Sequence, residues 1–92
     1  AINKGETLAP TDAKIFYNLG IMYLRTGQVN DALDVFQKTI SLKPNYKEAR
    51  LAYALTLIDS GKTPEAKEQL IYILEKIDPN DKIVIGELNK LK

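Results

Sequence analysis

Residues 16–44 read FYNLGIMYLRTGQVNDALDVFQKTISLKP, with Phe16, Leu19, Gly20, Tyr23, Gly27, Ala32, Phe36 and Pro44 marking two apolar stretches of helical spacing. The pattern recurs: Gly27 is followed 34 residues later by Gly61, Ala32 by Ala66, Pro10 by Pro44 and Leu8 by Leu42. A helical unit of this length cannot bury its own apolar face and stacks on a copy of itself. The expected product is an all-α solenoid of antiparallel helix hairpins.

Each marked position has a physical reason. Gly20 and, one period on, Ala54 are small so that the two helices of a hairpin approach closely, with Ala32 and Ala66 facing them. Phe16, Leu19, Tyr23 and Phe36 fill the remaining space at interior density. Gly27 and Gly61 fall where a first helix ends and a positive φ is useful. Pro44 and Pro79 end the second helices, because the residue before a proline is pushed out of the α region.

The period predicts units over residues 13–46 and 47–80. The second is degenerate: Tyr53, Ala54, Leu57 and Leu70 replace Leu19, Gly20, Tyr23 and Phe36, and Pro79 arrives one residue late, so its second helix or exit turn holds an extra residue. Expected helices run over 12–26 after a Thr11 cap, over 29–42, over 46–60, from Pro64 after a Thr63 cap, and over 81–91. In the last, Val84, Leu88 and Leu91 form an amphipathic stripe suited to a capping helix over residues 81–92. Ile2, Gly5, Leu8 and Pro10 stay in phase with Phe36, Thr39, Leu42 and Pro44, so residues 1–12 read as the tail of a preceding unit. With that unit cut away, Ile15 and Met22 on the outer face are left uncovered, and a two-fold homodimer is the expected consequence.

Composition narrows the function classes. Thirteen basic against twelve acidic side chains, interleaved, invite neither a phosphate backbone nor an anionic membrane surface. No apolar run approaches a membrane span. Without His or Cys the usual bases, thiol nucleophiles and metal ligands are missing, so no catalytic residue, metal or cofactor is expected. The carboxylate pairs Asp31/Asp34 and Glu65/Glu68 read as helix N-terminal charges. Compartment is not legible.

The order Phe16, Leu19-Gly20, Tyr23, Gly27, Ala32, Phe36, Pro44 closely resembles the tetratricopeptide repeat, with Phe16 where that family usually carries Trp. The resemblance implies a non-catalytic module for protein or peptide partners. It places on a concave groove Tyr17, Asn18, Ile21, Leu24 and Arg25 from the first helix, and Leu51, Ala52, Leu55, Ile58 and Asp59 from the third. Tyr17/Ile21/Leu24 and Leu51/Leu55/Ile58 are spaced i, i+4, i+7, so the expected groove is largely apolar and suits an amphipathic helix or apolar peptide. The carboxylate clamp known in the family is absent: its positions hold Tyr17, Ile21 and Ala52, and Lys14 and Arg25 read as solvated charges. A competing expectation is a structural spacer or self-association module in a larger protein of bacterial type, membrane-anchored or secreted.

Overall fold

The computed structural model describes residues 10–91. They form α1 (Pro10–Arg25), α2 (Val29–Leu42), α3 (Lys47–Asp59), α4 (Thr63–Tyr72) running directly into a π-helical segment (Ile73–Ile77), and α5 (Lys82–Lys90). α1 pairs with α2 and α3 with α4, α2 also packs on α3, and α5 rests on α4 and the π segment. No strand occurs among the described residues, and the fold is an all-α helical repeat.

Both hairpins turn in the same way. Gly27 and Gly61 have φ of 79° and 80°. In each turn the residue after the glycine donates its backbone N–H to the carbonyl five residues back, Gln28 to Tyr23 and Lys62 to Leu57, both at 2.8 Å. The glycine N–H bonds the carbonyl three back, Leu24 or Ile58. These are Schellman closures, and they satisfy carbonyls the helix would otherwise leave open.

A single core runs through the stack. Phe36, Ala32, Ala54, Ala66, Leu70, Ile73 and Val84 are fully buried. Each large member contributes about 1.5–3 kcal/mol through apolar area removed from water. A Cβ on Gly20 would lie 2.5 Å from Phe36 Cε1, so the absence of a side chain there is what admits the aromatic ring. Leu88 and Leu91 join Val84 against the core.

Four helix starts differ from the sequence expectations, that of α3 by a single residue, Lys47 in place of 46. α1 begins at Pro10 and not after a Thr11 cap: proline presets the helical φ and lacks the N–H that a first turn leaves unsatisfied. Thr63 is the first helical residue of α4 and not its cap; Lys62 precedes it and makes no side-chain cap bond. α5 starts at Lys82, with Asp81 Oδ1 accepting the Val84 N–H at 3.0 Å. The reading of residues 1–12 as the tail of another unit falls mostly outside the described residues; Pro10 itself belongs to α1.

The extra residue sits in the π segment. α2 exits with Lys43 N–H on Thr39 O, four residues back, whereas the fourth helix exits with Asp78 N–H on Ile73 O, five back, at 2.8 Å. One wide turn absorbs the insertion and keeps the residues beyond it in phase, as such bulges do. Lys43 and Asp78, each before a proline, are then extended, with φ of −141° and −148°.

Candidate functional site

α1 and α3 both pack on α2 and leave a valley between them. An open pocket of about 320 Å³ there is lined by Tyr17, Ile21 and Leu24 from α1 and by Glu48, Leu51, Ala52, Leu55, Thr56 and Asp59 from α3. The lining is mostly apolar. Even Thr56 turns its hydroxyl away, donating to Ala52 O at 2.7 Å within its own helix. Leu55 keeps 38% of its surface in solvent, whereas Ile21, Leu24 and Leu51 are half-buried against the core.

One end of the valley is aromatic. The Tyr17 ring stands 6.1 Å from Phe36 and 5.3 Å from Tyr46, both tilted. Burial, then the nearby Glu48 carboxylate and Tyr17, hold the Tyr46 phenol above its usual value. Lys43 Nζ lies over the Tyr46 ring, 4.8 Å from its centroid.

Of the groove residues expected from sequence, Tyr17, Ile21, Leu24, Leu51, Ala52, Leu55 and Asp59 meet around this pocket. Asn18 and Arg25 are exposed but do not line it, and Ile58 packs against the core. Glu48 and Thr56 were missed. The signal was available in part, since Glu48 lies one turn before Ala52 and Thr56 one turn after it, on the edge of α3 that faces α1.

A larger hollow, about 590 Å³, opens beside Phe16 and the α2 residues Asp34, Gln37, Lys38, Ser41 and Leu42. It is one half of an exchange between hairpins. Lys38 covers the Phe16 ring at 5.9 Å. One period on, Arg50 takes the place of Phe16 and Tyr72 that of Lys38, with the guanidinium carbon 3.5 Å from the ring centroid. Arg50 is only 9% exposed and is held by Nε donating to Pro44 O and Nη1 donating to Gln69 Oε1, both at 2.7 Å.

No group of three or more His, Cys, Asp or Glu placed to hold a metal occurs among the described residues. No described helix is long and apolar enough to cross a membrane.

Hairpins closed by matching Schellman turns, stacked with a small-residue seam and an open valley between first helices, define a helical-repeat binding module. The tetratricopeptide repeat family model matches residues 23–82, and the chain belongs to that family. It is similar to two human proteins named protein O-mannosyl-transferase: TMTC1, at 36% identity over 64 residues, 70% of this chain and 7% of that protein, and TMTC3, at 32% over 91 residues, 92% of this chain and 10% of that protein. An uncharacterized protein of Methanocaldococcus jannaschii is 38% identical over 56 residues, 61% of this chain and 65% of that protein. The chain thus spans a tenth or less of the two human relatives.

Proposed function

We propose that this chain is a protein-interaction module that receives the apolar face of a partner peptide or helix in the valley between α1 and α3, without a catalytic role of its own. The observation carrying this is the convergence of Tyr17, Ile21 and Leu24 with Leu51 and Leu55 around one open pocket, contributed by two successive hairpins. An apolar surface kept open by a stacked scaffold suits helix-in-groove recognition. The transferase activity in the names of the human relatives is not assigned to the short stretch they share with this chain. Residues 13–46 and 47–80 act as the two repeats, and residues 81–92 cap the stack.

The test replaces Ile21 and Leu55 together by Asn. A 20-residue synthetic amphipathic helix with Leu at i, i+4 and i+7 should bind the wild type and lose at least about tenfold in affinity to the variant, two buried apolar contacts being worth that much or more. The melting temperature should stay within about 5 °C, a change of roughly 1 kcal/mol. A large drop in melting temperature would make these side chains core and end the groove reading.

The self-association reading rests on a separate observation. Ile15 and Met22 on α1 are 63% and 61% exposed, while Ala49 and Thr56, one period on, are 0% and 2% exposed against the preceding hairpin. A preceding repeat or a second copy would cover this face. Sedimentation over a wide concentration range decides whether a copy does: a monomer at every concentration removes the dimer.

A further inference from the structure

The two charged residues that line the pocket are both carboxylates, Glu48 and Asp59, while Lys43 lies over the Tyr46 ring at the aromatic end without lining it. They stand eleven residues apart on α3, three helical turns, hence on one face and about 16 Å apart. Both are exposed, and neither forms an ion pair among the described residues. Asp59 is the last residue of α3, where a negative charge opposes the helix dipole, whereas Arg25 at the matching end of α1 complements it. Helix stability therefore does not account for Asp59, and a locally unfavourable residue at the rim of an open pocket points to a ligand.

We propose that the valley selects an amphipathic helix whose apolar stripe is bracketed by two Lys or Arg side chains three turns apart, one meeting Glu48 and the other Asp59. This rests on the peptide-binding reading above and adds its charge specificity. A helix is the fitting occupant because the lining rows of α1 and α3 themselves repeat at helical spacing, and a third helix lays its ridge into the groove between two others. At the Glu48 end the incoming cation also meets the Tyr17 ring, which lines the same pocket. An acidic partner is disfavoured at both ends.

Three labelled 20-residue peptides sharing one apolar stripe and differing only at the two bracketing positions, Lys, Gln or Glu, test this by fluorescence anisotropy at low ionic strength. The Lys peptide should bind roughly tenfold tighter than the Gln peptide, and the Glu peptide weakest, an advantage that fades at high salt. In the Glu48→Gln/Asp59→Asn double variant the Lys advantage should fall to within about twofold, the two exposed pairs having been removed. Asp59→Arg, copying Arg25, should raise the melting temperature while erasing the Lys preference, which separates binding from folding. Equal binding of all three peptides would overturn the charge specificity and leave the apolar groove standing. A Lys preference that survives in the double variant would overturn it as well. If none of the peptides binds, both readings fall.

Discussion

The first and second hairpins share their turns yet differ in two of the pairs packed across them, and each difference is compensated. Gly20 faces Phe36 in the first; Ala54 and Leu70 hold the same places in the second, all four buried. A Cβ on Gly20 would run into the Phe36 ring, so the added methyl of Ala54 is compatible with the smaller Leu70. Cation and ring likewise trade helices, Phe16 under Lys38 becoming Arg50 under Tyr72. The comparison teaches that the repeat conserves the volume and character of a contact, and leaves open which helix supplies each part.

The strongest way to break this comparison is Phe36→Ala. It should cost about 3–5 kcal/mol, comparable with the whole stability of a domain of this size, and leave the protein largely unfolded. Leu70→Ala should also destabilise, at about 2–5 kcal/mol. Circular dichroism melts provide the check. A cooperative transition for Phe36→Ala within a few degrees of the wild type would mean that the seam is not built on this ring.

Gly20→Ala sharpens it further. Alone it should cost about 1–3 kcal/mol through overpacking against a fully buried ring. Combined with Phe36→Leu it reproduces the second hairpin's pair, and the double variant should be more stable than the sum of the two single effects predicts. Urea denaturation of the four proteins measures that coupling directly. Additive effects would show that the two hairpins reached their pairs independently.

A smaller, pH-dependent difference arises at the exit of α4. Lys47 Nζ reaches Asp81 at 2.9 Å and Asp78 at 3.2 Å, while the matching place on α1 is Ala13. The hydrogen bond from Lys47, then that from the Val84 amide, hold the Asp81 carboxyl below its usual value. Its contribution is therefore fully present above the ordinary carboxylate pKa of about 3.9 and is lost as pH falls through the lower folded value. Lys47 is raised by its hydrogen bonds to Asp81 and then to Asp78, so its share is present below the ordinary lysine value and is lost as pH rises through the higher folded one. Protection of the Val84 amide, measured as its exchange rate relative to the intrinsic rate at the same pH, should fall on acidification below about pH 4, ahead of that of Phe36 in the first hairpin. Asp81→Asn, which keeps a capping oxygen, should flatten that response. Equal acid sensitivity in both proteins would remove this ion pair as the cause.

Much of the architecture was legible because helix phase and turn chemistry are local. The positions of Gly27, Gly61, Pro44 and Pro79 alone place four helices to within a few residues, and Val84, Leu88 and Leu91 announce the fifth. The valley was legible as a stripe: Tyr17, Ile21, Leu24, Leu51 and Leu55 share one period and one face. Its polar ends were harder. Glu48 carries no apolar signal and joins the pocket lining only through the placement of α1 opposite α3.

By itself, then, the 34-residue spacing determined a helical repeat, its turns and the extra residue after Ala66, since each is dictated by the period of a helix and the conformations open to glycine and proline. Tertiary structure alone decided that the insertion becomes a π turn at Ile73–Ile77 rather than a longer loop, that Arg50 is drawn in between Tyr72, Gln69 and Pro44, and that Glu48 and Asp59 end up facing an open valley. These depend on which groups are neighbours in space. A repeat specifies what is common to its copies, and what differs between them is settled by the contacts each copy finds.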